Sequence, residues 1–305
     1  MQPANTPNPP SPHAPSSPWR IAPSCLIDLI TPKLMGILNI TPDSFADGGK
    51  HLDPAHAINA GLAMIAEGAT FLDIGGESTR PGSQPVPPDE QLRRVLPVIR
   101  GLAPKLPPHA AISIDTTSAT VAAAALDAGA SIVNDVSGGR DDPAMLALAA
   151  QRRCGLILMH RERHPAADRF SDRYDPHQPA PMQGDVVASV RAFLADRADA
   201  AVRAGVSRDA IVLDPGLGFG KTVDQNLALI SGTPHLASLG FPILSALSRK
   251  SFVGRIGLDR DSTPDERLPA TLALSLRHAQ LGARILRVHD IAPHAQALRA
   301  FIAFP

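Results

Sequence analysis

AIVLDPGLGFGKT, residues 210–222, is the stretch whose reading decides the fold. A short apolar run from Ala210 to Leu213 stops at a carboxylate, Asp214, and breaks into a glycine-rich turn. Side chains two apart in a strand share a face, so Val212 and Asp214 point the same way. A carboxylate buried halfway along a barrel is costly, whereas one at the C-terminal rim of a parallel strand meets solvent or a ligand. The same layout recurs along the chain. Short apolar runs at 34–40, 70–76, 110–116, 131–137, 155–160, 241–248 and 284–290 alternate with longer stretches of helical spacing, such as PAHAINAGLAMIAEG and SATVAAAALDAGA. Near-continuous apolar strands separated by helices imply a parallel sheet covered on both faces. Eight strand–helix units in 305 residues predict an α/β chain, a (β/α)8 TIM barrel, with a doubly wound open sheet as the alternative.

The runs end in Asn39, Asp73, Asp115, Asn134, His160, Asp214, Ser248 and His289. At one strand such a residue is ordinary turn punctuation. At all eight, the polar ends read as the floor of one site. The connections after the first, second and fifth strands are long and rich in Gly, Pro, Asp and Ser, so they read as mobile loops on the same face. The glycine run itself is one residue short of the phosphate-binding loop GxxxxGK[ST], and Pro215, at its first glycine, has no N–H to donate. Its glycines read instead as letting the backbone pass close to a flat ligand.

Lys plus Arg and Asp plus Glu both total 29, with no long block of one sign, which gives no support to a nucleic-acid or acidic-membrane partner. No apolar run is long enough to span a bilayer, and the start has no signal-peptide pattern. Two isolated cysteines, Cys25 and Cys154, fit a reducing, cytoplasmic setting, with Cys154 a small buried apolar residue. The first 18 residues hold seven prolines, so residues 1–20 are expected to be a disordered tail and 21–305 a single barrel domain, opened by a short plug or hairpin over 21–33.

Asp115, Asn134 and Asp214 suit the edge of a heterocycle, since carboxylates accept from adjacent ring N–H and exocyclic NH₂ groups. Lys250, on one face with Ser248 in SALSRKS, adds a cation for a ring nitrogen or carbonyl. Arg80, Arg287 and His289 suit a multiply charged anion, most simply a diphosphate. Asn39 is a neutral oxygen donor of the kind Mg²⁺ accepts beside substrate phosphates. No HExxH, CxxC or nucleophile-elbow pattern occurs.

Seven segments, NITPDSFADGG (39–49), DIGGESTRPG (73–82), SIDT (113–116), NDVSGG (134–139), LDPGLGFGK (213–221), LSRKS (247–251) and RVHD (287–290), resemble in order those of the dihydropteroate synthase family. The resemblance implies a TIM barrel that joins 6-hydroxymethyl-7,8-dihydropterin diphosphate to 4-aminobenzoate and releases pyrophosphate. It further implies that Asp115, Asn134, Met159, Asp214 and Lys250 hold the pterin. Asn39, Thr79, Arg80, Arg287 and His289 would meet the diphosphate, with Asn39 also at Mg²⁺, and Phe45, Phe219 and Ser248 would form the aminobenzoate pocket. Asp43, Arg80 and Lys250 are the residues it assigns to the transfer step. A homodimer and sulfonamide sensitivity are implied as well.

One segment departs from the family pattern. Where that pattern continues the fifth strand as Met-His-Met-Gln-Gly, this chain reads Met159-His160-Arg161-Glu162-Arg163 and goes on into a long Asp/Arg/Pro-rich loop, 161–182. A non-catalytic or specialised pterin-binding paralogue is therefore the alternative. It would lose loop residues while keeping the floor, yet 39–49 and 78–82 are both intact. A pterin-dependent methyltransferase domain would lack STRPG.

Overall fold

The structure is a computed structural model that describes residues 18–41, 46–47, 51–175 and 181–303. An antiparallel hairpin, β1 (Trp19–Ala22) and β2 (Cys25–Ile27), precedes the barrel. The first barrel strand is β3 (Lys33–Asn39), followed by a small antiparallel pair, β4 (Ala46–Asp47) and β5 (His51–Leu52). The remaining barrel strands are β6 (Phe71–Gly75), β7 (Ala111–Asp115), β8 (Ile132–Asp135), β9 (Gly155–Met159), β10 (Ile211–Asp214), β11 (Ile243–Ser245) and β12 (Ala283–Val288). All barrel pairings are parallel, and β12 closes onto β3. The sheet is thus closed, as the alternation of strands and helices predicts, and not the open alternative.

Helices fill the crossovers: α1 (Pro54–Glu67), α2 (Pro88–Leu102), α3 (Ala119–Asp127), α4 (Met145–Arg152), α5 (Val186–Arg203), α6 (Val223–Ser231), α7 (Thr233–Ala237), α8 (Ser251–Leu258), α9 (Leu268–Gln280) and α10 (Ile291–Ile302). Their starts are written locally. Asp53, Ser118 and Asp185 cap first-turn N–H groups of α1, α3 and α5, and Thr222 with Gln225 forms a reciprocal capping box at α6.

Period-two alternation separates two cores. Outward residues such as Leu72, Ile74, Ile112, Leu156, Leu213 and Ile243 pack under the helices. Inward residues Met35, Phe71, Ile132, Ile157, Val212 and Ile285 form a second cluster in the lumen, and the hairpin seals its N-terminal end. Trp19 is fully buried there, edge-on to Phe71 at 5.3 Å, with Nε1 donating to Ala210 O at 2.8 Å. This corrects the tail boundary of residue 20: Trp19 and Arg20 already belong to a strand, because one large indole supplies more buried area than the surrounding prolines suggest. Residues 1–17 lie outside the described residues. Cys154 is buried, as expected, and burial pushes its thiol up to about 11.

Candidate active site

The lumen changes character one layer above the apolar cluster. The inward series Phe71–Asp73, Ile132–Asn134, Val212–Asp214 and Ile285–Arg287 each step from apolar to polar toward the C-terminal rim. Arg287 donates from Nε to Asp73 (2.6 Å) and from Nη2 to Asp115 (2.8 Å), and Asn134 Nδ2 donates to Asp73 at 3.0 Å. Among the described residues, Asp73 Oδ1, Ser113 Oγ, Asp115 Oδ1 and Asn134 Oδ1 are buried without a hydrogen-bond partner. Such acceptors are costly to leave unmatched and point to donors on a ligand. Burial pushes Asp115 up to about 7 against the opposing charge of Arg287, and it raises Asp214 too. For Arg287 burial alone would lower the pKa, but Asp73 and Asp115 raise it, so it stays a cation.

Asp214 Oδ1 accepts the Gly216 N–H at 2.7 Å. Lys250 donates from Nζ to Leu217 O and lies 4.3 Å from the centre of the Phe219 ring, and burial lowers it to about 8. Met159 packs with Val136 and Phe219.

A cavity of about 390 Å³ opens at the rim. It gathers Asn39, Thr79, Arg80 and Ser248 with Phe219, Lys250, Arg287 and His289, eight residues picked out from five separate stretches of sequence. Asp115, Asn134, Met159 and Asp214 are not among its lining residues. They are buried at the strand ends: Asp115 is bonded to Arg287, Asn134 reaches Arg287 through Asp73, Asp214 interacts electrostatically with Lys250, and Met159 packs with Phe219. Asp43 and Phe45 lie outside the described residues. His289 does not stand in the cavity as a cation: burial, then Arg287 and Arg249, push it down to about 3. Its backbone N–H donates to Ser248 Oγ (3.2 Å), so the hydroxyl proton is free for Nδ1 (3.0 Å), which assigns the ring proton to Nε2.

The glycine run is a fold device. Gly216, Gly218 and Gly220 all take positive φ, at 66°, 83° and 65°. Lys221, which would face phosphates in a phosphate-binding loop, is fully buried and donates to Gly216 O (2.8 Å), Phe219 O (2.9 Å) and His160 Nδ1 (3.0 Å). Burial pulls Lys221 down to about 7 and His160 to about 2, and three acceptors around one nitrogen favour the ammonium beside a neutral ring.

Sequence reasoning missed several residues. Asp73 was visible as a strand-end carboxylate, but its role depends on Arg287, 214 positions away. Glu77, whose pKa burial raises, accepts from Gln91 Nε2 (2.9 Å), while Gln91 Oε1 accepts from Thr116 (3.2 Å), so the second loop is tied to β7. The fifth loop also lines the cavity, through Phe170–Arg173. Its only signal in the sequence was its departure from the family pattern.

A closed parallel barrel with acidic and amide acceptors at its C-terminal floor, under a cavity carrying Arg80, Lys250 and Arg287, defines an enzyme that binds a flat N–H-rich heterocycle. Residues 35–289 match the model of the pterin-binding enzyme family, and the chain belongs to that family. A dihydropteroate synthase of Mycobacterium leprae (strain TN) is 47% identical over 270 residues, 88% of this chain and 91% of the relative. The Xanthomonas albilineans dihydropteroate synthase solved with 4-aminobenzoic acid superposes with a TM-score of 0.83 at 41% identity, over 94% of this chain and 98% of that one. The same enzyme in complex with 7,8-dihydropteroate gives 0.80 at 38%, with the same coverage. Within its family this chain is a transferase of folate synthesis, with the dihydropteroate synthase function.

Proposed function

We propose that the rim of the barrel joins 6-hydroxymethyl-7,8-dihydropterin diphosphate to 4-aminobenzoate. The buried acceptors of Asp115 and Asn134 beneath the cationic cavity carry this assignment of the site. With Asp214, they face the N–H and NH₂ edge of the pterin, Met159 packs on its face, and Lys250 meets a ring nitrogen or carbonyl. Arg80, Thr79, Arg287 and the Nε2–H of His289 hold the diphosphate. Phe219 and Ser248 form the described part of the aminobenzoate pocket; Phe45 is assigned to the same pocket and Asp43 to the transfer step, and both lie outside the described residues.

In the transfer the bond from the exocyclic methylene to the bridging oxygen breaks, and its electron pair leaves with the diphosphate. The amine lone pair forms the new C–N bond, and the nitrogen then loses a proton. The substrate carries its own leaving group, so no protein nucleophile is needed. Donors fixed on the departing oxygens stabilise the charge that develops there. The Asn39 side-chain oxygen is a neutral hard donor at the cavity wall and fits Mg²⁺, which, when bound, would neutralise diphosphate charge. A homodimer and a cytoplasmic setting belong to the same reading. No helix among the described residues is long and apolar enough to cross a membrane.

The experiment is pyrophosphate release with the dihydropterin diphosphate and Mg²⁺, with and without 4-aminobenzoate. Amine-dependent release with formation of dihydropteroate is expected. Pterin binding without it would mean a non-catalytic paralogue. Asp214→Asn is expected to weaken pterin binding roughly 100-fold, by mispairing one buried acceptor, and unchanged affinity would refute the pterin assignment.

A further inference from the structure

The fifth loop, where this chain leaves the family pattern, is built into the cavity wall. Buried Asp168 accepts from the backbone N–H of Gly220 (2.8 Å) and from the Tyr174 hydroxyl (2.7 Å). Buried Ser171 accepts from Asn226 Nδ2 (3.1 Å), while Asn226 Oδ1 takes the Gly218 N–H (2.7 Å). The sixth loop is therefore fastened to the fifth on both sides of Phe219. On the other flank, the Gly82 N–H of the second loop donates to Pro165 O at 2.8 Å. Between the anchors at Asp168 and Ser171 stands Phe170, which lines the same cavity as Phe219 and remains 44% exposed. An apolar ring held on a pinned segment at the mouth of a cavity offers its face to whatever emerges.

We propose that Phe170 is a specificity-determining residue for the aromatic amine, a platform for the group carried para to the nitrogen. The inference rests on the transfer reading above. The amine nitrogen must face the pterin methylene at the strand ends, where Asn39 and Arg287 stand. The para substituent is then directed to the rim, where Phe170 and Pro264 stand. 4-Aminobenzoate carries only a carboxylate there. A sulfonamide with an aryl ring on its sulfonamide nitrogen carries a flat apolar group that covers the Phe170 ring.

The test uses the full chain and three measurements: KM for 4-aminobenzoate, and inhibition constants for sulfanilamide and for an N-aryl sulfonamide. Phe170→Ala is expected to weaken the N-aryl compound about 5-fold, the loss of one aromatic contact, and to leave the other two within about 2-fold. Phe170→Trp is expected to restore the wild-type ratio. Equal changes in all three, no change in any, or tighter binding of the N-aryl compound by Phe170→Ala would overturn the role of Phe170. A wild-type protein that releases no pyrophosphate in response to 4-aminobenzoate would overturn the transfer reading and this inference with it, and that control separates the two failures.

Discussion

A methyl group on Gly216 would stand 1.7 Å from the carbonyl oxygen of His160, on a backbone already at φ 66°. Neither can yield, since the oxygen belongs to the chain leaving β9 and the turn is held by the Gly216 N–H on Asp214. Gly216→Ala is therefore expected to cost about 4 kcal/mol or more, through strain plus a steric overlap with backbone, read as a fall in the urea midpoint. A variant of wild-type stability would mean that the sixth loop has another conformation. Lys221 gives a complementary test. As a phosphate ligand it would be dispensable for stability and needed for substrate affinity. As the observed clamp, Lys221→Met leaves two carbonyls and an imidazole nitrogen without their donor, a loss of about 3 kcal/mol. A higher KM for the diphosphate at unchanged stability would restore the phosphate-loop reading.

Among the elements, the short β1–β2 hairpin closes the N-terminal end of the barrel. Trp19 is buried against Phe71 and bonded to Ala210 O, so Trp19→Ala is expected to destabilise by about 3–5 kcal/mol. If the loss in a denaturant titration is under about 1 kcal/mol, the hairpin is a surface flap and not a plug. The eight strands were legible because each signal is local: an apolar run, a polar stop and period two. The hairpin was half legible, since the proline-rich context hid the buried Trp19. What stayed hidden was pairing at a distance. Nothing near Asp73 announces Arg287, and nothing near Asp168 announces Gly220, 52 positions on. Burial recurs with the period of the backbone, but which charge meets which is settled only by the closed barrel. Eight of the residues that line the cavity could therefore be named from the sequence, while Arg249, Pro264, Arg267 and the fifth-loop wall could not.

Over the whole molecule, burial of histidines sets one term of the pH response. His278 on α9 is fully buried, with Nδ1 2.7 Å from Ser245 Oγ of β11. Burial lowers it from 6.5 to about 4. Its imidazole is neutral in the fold, while the unfolded chain takes up the proton as pH drops below 6.5. The contribution of His278 is thus complete above pH 6.5 and is lost as pH falls toward about 4. His289 and His160 add terms of the same sign, whereas Asp115 and Asp214, raised by burial, add terms of the opposite sign. The total profile is a sum in which no single group can be read, so the measurement is a difference. Between pH 6 and pH 5 the His278 term alone removes about 1 kcal/mol. His278→Gln has no ring to titrate, and its unfolding free energy should fall by about that much less than wild type over the same interval, whatever its stability at neutral pH. If the two profiles run parallel, His278 binds its proton in the fold as readily as in the unfolded chain, and Ser245 is then accepting from a charged ring inside the barrel wall.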